Sequence, residues 1–70
     1  KDVMLTIKFV DDKKQKRVKL DVNNKLETIE TDKATFTRVI NNKIEEGNNF
    51  IRIEPLQEGI GVVELRVEIV

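Results

Sequence analysis

The sequence lacks cysteine, histidine, serine, tryptophan and tyrosine altogether. Without cysteine there is no disulfide framework. Without cysteine and histidine there is no thiolate or imidazole zinc site, and no Ser-His or Cys-His nucleophile can be assembled. Proline occurs once and glycine three times, and phenylalanine, the only aromatic, is found at positions 9, 36 and 50. Apolar runs are short: Val3-Met4-Leu5 is typical, against the roughly 20 residues of a membrane-spanning helix. No secretory pattern opens the chain, since the first apolar stretch is broken at Thr6 and Lys8. A cysteine-free chain suits reducing and oxidising compartments alike, with the cytoplasm slightly favoured. Two origins fit a chain beginning at Lys1: one starting at Met4 behind a tag remnant, and one excised from a longer protein.

What is present is a balanced, aliphatic composition. Seventy residues carry 13 basic and 13 acidic side chains, with 39% of residues apolar. This describes one small folded domain over residues 1–70, not a disordered tail. Its core must be built from Val, Ile and Leu, whose β-branched members favour strands. Residues 3–10 place Val3, Leu5, Ile7 and Phe9 on one face. Residues 17–22 alternate Val18, Leu20 and Val22 with Arg17, Lys19 and Asp21. The polar link 11–16 between them reads as a hairpin turn. Residues 26–30 are compatible with a short further strand. From Asp32, a plausible N-cap, Phe36, Val39, Ile40 and Ile44 fall at i, i+3, i+4 and i+8, and Gly47 follows as a stop; this predicts a helix. Residues 49–54 and 62–70 read as strands, the last with Val63, Leu65, Val67 and Ile69 inward.

The expected architecture is therefore α+β: hairpin, helix, hairpin (ββαββ), with a four-stranded sheet and one helix on one face. The first and last strands have the most apolar inward faces, and central strands need them most. Setting those two side by side gives a mixed sheet of order 2-1-4-3. That element order resembles the β-grasp folds, including ubiquitin-like proteins and the immunoglobulin-binding domain of protein L. The ubiquitin-type Gly-Gly terminus is missing, for the chain ends Glu68-Ile69-Val70. An antiparallel meander with a helix across it is the alternative. Leu5, Ile7, Val18, Leu20, Phe36, Ile40, Ile53, Leu65 and Val67 form the expected core.

Little here carries chemistry. The five threonines lack an activating base. Asp11-Asp12 and Glu45-Glu46 are adjacent pairs that point apart and stay solvated. Gly59-Ile60-Gly61 precedes a strand and holds no basic residue, unlike a phosphate cradle. No catalytic, cofactor-binding or metal-binding residue is assigned, and no enzyme is expected.

Charge is unevenly distributed. Residues 1–25 hold eight basic and four acidic residues, net +4, and residues 26–70 hold five and nine, net −4. Lys8, Lys13, Lys14, Lys16, Arg17 and Lys19 gather on the first two strands and their link, as a candidate contact for an anionic partner. Lysines there also solvate a turn and protect a sheet edge. Met4, Phe50, Ile60 and Val62 are candidate apolar contacts. The resulting expectation is a small non-enzymatic protein-interaction or assembly module, binding a protein partner or weakly self-associating on an outer sheet face or exposed strand edge, with no membrane partner. Nucleic-acid binding through Lys13, Lys14, Lys16 and Arg17 is the alternative, disfavoured because no stacking aromatic lies in the turn.

Overall fold

A computed structural model describes all 70 residues. It holds six strands and no helix: β1 (Val3–Phe9), β2 (Lys16–Val22), β3 (Lys25–Thr31), β4 (Thr35–Val39), β5 (Ile51–Pro55) and β6 (Val62–Ile69). They form two three-stranded antiparallel sheets, ordered β4-β1-β6 and β3-β2-β5. The fold is an all-β sandwich, which corrects the α+β expectation and removes the basis of the β-grasp resemblance. β1 and β6 are neighbours, but they run antiparallel and β6 lies at an edge.

The segment expected to be helical shows why. Thr35, Thr37, Val39 and Ile40 place β-branched side chains through it, and their restricted χ1 angles suit a pleated strand better than a helix. In β4, Phe36 lies opposite Ile7 and Arg38 opposite Leu5, both facing inward. Ile40 is fully buried just beyond the strand, where its N–H donates to the Val3 carbonyl at 2.9 Å. Ile44 packs against the core from the following loop. The helical spacing of these apolar residues thus arises from a strand followed by a turn. Gly47 adopts φ +92°, but within a loop and not as a helix stop.

The link 11–16 is not a hairpin turn, since β1 and β2 belong to different sheets. It arches from one layer to the other, so the inward residues of both strands meet across the interior. Leu5, Ile7, Phe9, Val18, Leu20, Val22, Ile29 and Ile40 form one buried cluster. The tight hairpin is instead β2–β3, turned by Asn23 and Asn24 at φ 54° and 69°. Two consecutive positive φ values mark the two-residue turn whose twist matches antiparallel strands, and Asn tolerates them.

Asn23 also fastens the long β4–β5 loop. Its Nδ2 donates to the Lys43 carbonyl and to Asn49 Oδ1, both at 2.9 Å, and its Oδ1 accepts the Phe50 N–H at 2.8 Å. Asn49 braces the same loop by accepting the Glu45 N–H at 2.7 Å and donating to the Glu45 carbonyl at 2.9 Å.

Leu5, Ile7, Val18, Leu20 and Ile40 are buried, while Phe36 and Ile53 are partly buried against them. Leu65 and Val67 depart from the expected core: they face the same side as Ile7 and Leu5 but are 43% and 46% exposed.

Candidate interaction surface

The basic residues are dispersed by the fold. Lys8 pairs with Glu64 (3.4 Å), Arg17 with Glu30 (3.1 Å) and Lys19 with Glu54 (3.6 Å), each across neighbouring strands. Lys16 is buried: its ammonium donates to the Lys14 carbonyl at 2.8 Å, meets Asp12 Oδ1 at 3.2 Å and stands 5.7 Å from the centre of the Phe9 ring. Lys13 and Lys14 remain exposed on the arch. Asp12 accepts the Lys14 N–H at 3.0 Å. That bond, then the Lys16 ammonium, holds its carboxyl below the usual value near 3.8. One member of the Asp11-Asp12 pair is thereby committed to bracing the arch. Glu45 and Glu46 are exposed on the β4–β5 loop.

The outer face of the β4-β1-β6 sheet is polar. Met4 is half-buried between Val39 and Glu68, Thr6 is covered between Thr37 and Arg66, and Lys8 lies between Thr35 and Glu64. Arg66 joins Glu68 at 3.3 Å and Glu64 at 3.8 Å along β6. The apolar side chains expected to form a patch there are separated by this charge ladder. Of the other apolar candidates, Phe50 is exposed beside the β2–β3 turn, Ile60 packs against the core, and Val62 lies opposite Phe9 next to a bulge that leaves Val63 unpaired. These residues do not come together.

The two flanks of the sandwich differ. On one, Arg38 of β4 reaches Glu27 of β3 at 2.8 Å, and Lys43 reaches the other oxygen of Glu27 at 2.7 Å. Both Arg38 and Glu27 belong to inward faces, opposite Leu5 and Leu20. This ion network closes the β3–β4 flank. Sheet order puts β5 and β6 at the edges away from that network, and the 43–72% exposure of the inward side chains of β6 shows that β5 does not cover them. There the inward side chains are Ile51 and Ile53, partly buried, and Leu65, Val67 and Ile69, the last 72% exposed. No charge closes this side.

The strand edges differ in the same way. β4 and β5 are five residues long, and β5 ends in Pro55, which has no N–H to offer. β3 turns the charge of Glu27 inward. β6 is eight residues long, with no proline and no inward charge over its regular part. Natural sheets usually shield such an edge.

The direction of its free backbone groups follows from one residue pair. Asp2 and Val70 exchange both main-chain bonds, at 3.0 and 2.8 Å. Antiparallel pairing alternates, so Glu64, Arg66 and Glu68 also turn their backbone groups toward β1. Leu65, Val67 and Ile69 therefore present theirs to the open edge, while their side chains stand on the uncovered apolar face.

The surface contains no pocket, and no group of three or more acidic residues is placed to hold a metal ion. No helix is long and apolar enough to cross a membrane. The chain matches no protein-family model, and comparison with curated proteins and with solved structures returned no significant match.

The sequence places Leu65 and Val67 in the core, with Ile69 on the same inward face, because their alternation is that of a covered strand. Whether a sheet lies over them is decided by strand order, which leaves no mark in the alternation.

Proposed function

We propose that this protein is a non-enzymatic interaction module that engages another polypeptide along the β5–β6 flank. The observation that carries this reading is the combination at β6 of free main-chain groups and the exposed side chains of Leu65, Val67 and Ile69. An added strand gains hydrogen bonds from the first and apolar contact from the second. Long hydrophobic edges left open expose a protein to unwanted pairing. An occupied edge resolves that hazard.

Binding an anionic partner through the basic residues has less support. Lys8, Lys16, Arg17 and Lys19 are already paired with carboxylates, and Lys16 is buried. Phosphate binding draws on cations free to replace counterions, and of the six candidates Lys13 and Lys14 alone form no salt bridge.

An environment-sensitive apolar dye tests the reading. The parent is expected to bind the dye, and Val67→Lys and Ile69→Lys are expected to abolish binding while leaving the circular dichroism spectrum unchanged. Undiminished dye binding by both variants refutes the assignment of the flank, as does their unfolding.

A further inference from the structure

We infer that the occupant of the β6 edge is a second copy of the same chain, joined antiparallel about a two-fold axis through Val67. This inference rests on the reading of the β5–β6 flank as an interaction surface.

A two-fold axis through one strand residue fixes every other pairing. With Val67 on the axis, Leu65 lies opposite the partner's Ile69, and Ile69 opposite the partner's Leu65. These are the residues whose main-chain groups face the open edge, so each pairing, Val67 with the partner's Val67 included, exchanges two hydrogen bonds. Their side chains extend the uncovered apolar face into a continuous row. On the other face Arg66 lies opposite the partner's Glu68, and Glu68 opposite the partner's Arg66. The Arg66–Glu68 contact within one chain (3.3 Å) thus becomes a ladder of alternating charge across the seam.

Neighbouring registers lack this agreement. An axis through Arg66 sets that residue against the partner's Arg66, and Glu64 against the partner's Glu68. An axis through Glu68 again sets like charges opposite one another. An axis through Leu65 pairs Glu64 with the partner's Arg66, but it draws the bulge at Val63 into the seam and puts Ile69 opposite the partner's Gly61. The Val67 register alone uses the regular part of β6, matches apolar with apolar and opposes unlike charges. The outcome is one continuous six-stranded sheet with its two opposing sheets on the same side.

Sedimentation of the full chain from micromolar to millimolar concentration tests this, with charge exchange specifying the register. The parent is expected to form a dimer. R66E and E68R each set like charges opposite one another and should weaken self-association about tenfold or more. The double variant R66E/E68R should recover it. An equimolar mixture of the two single variants should form a heterodimer, because every seam position then opposes unlike charges. Amide exchange at Leu65, Val67 and Ile69 should slow as the parent dimer forms.

A parent that stays monomeric to millimolar concentration overturns the inference. If its dye binding is still lost in V67K, the flank remains an interaction surface for a different polypeptide. Association that is indifferent to both charge variants overturns the register, and its survival in V67K as well removes the flank altogether.

Discussion

Asn23 performs two tasks that different substitutions separate. It holds a left-handed backbone at φ 54° and ties the β4–β5 loop through three side-chain hydrogen bonds. Asn23→Gly keeps the backbone and removes the ties, and is expected to cost about 1–3 kcal/mol. Asn23→Ala adds the penalty of a β-carbon in the left-handed region, about 1 kcal/mol more. Chemical denaturation should rank parent above the glycine variant and the glycine variant above the alanine variant; equal stability for all three contradicts this account. The sequence shows paired asparagines at 23–24, 41–42 and 48–49, a residue type that favours turns. That Asn23 meets Asn49 is not visible there, because the bond between them spans 26 residues of chain. Lys16 is a similar case: a lysine in a basic run reads as solvated until the arch brings Asp12, the Lys14 carbonyl and Phe9 around it.

At the scale of elements, β1 and β2 follow from their alternation and β-branched content; β3 is legible only as a short strand around residues 26–30, because its inward face sets Glu27 beside Ile29; and β4 does not follow from its own pattern. Phe36, Val39, Ile40 and Ile44 satisfy a helical period, yet the strand uses Phe36 and Arg38 as its inward pair. What decides between the two is the partner strand: β1 offers the inward backbone edge and apolar face that make five residues of Thr-Phe-Thr-Arg-Val worth extending. Thr37 distinguishes the states by sign, since it stands on the exposed outer face opposite Thr6. Thr37→Ala should destabilise the strand by up to about 1 kcal/mol, whereas in a helix it would stabilise by roughly 0.5 kcal/mol. A stabilising effect in urea denaturation therefore contradicts the strand. Thr37→Val should be neutral or mildly stabilising, because both branches suit the pleat.

For the whole molecule, the decisive property is asymmetry between the flanks. Glu27, Arg38 and Lys43 close one side with charge, and the β5–β6 side is left apolar and open. Truncations should report that difference. Leu20→Ala, at a fully buried position in the central strand β2, is expected to cost about 2–5 kcal/mol. Leu65→Ala, on the uncovered face of β6, should cost less than about 1.5 kcal/mol in the dilute monomer. Equal losses measured by denaturation at low concentration would place Leu65 in the core and remove the open flank.

The sequence by itself determined that the interior is aliphatic, that residues 3–10, 17–22, 49–54 and 62–70 read as strands, and that thiol, imidazole and serine chemistry is absent; those follow from residue types and from periodicity along the backbone. The tertiary structure alone decided which strands pair, which layer each belongs to and which inward face is left without a cover. Alternation specifies the two faces of a strand but not its neighbours. Neighbours are set by contacts between residues far apart in the chain, such as Leu5 with Val67 and Lys19 with Glu54. The open β6 edge, and with it the surface assigned to assembly, is a consequence of that long-range choice.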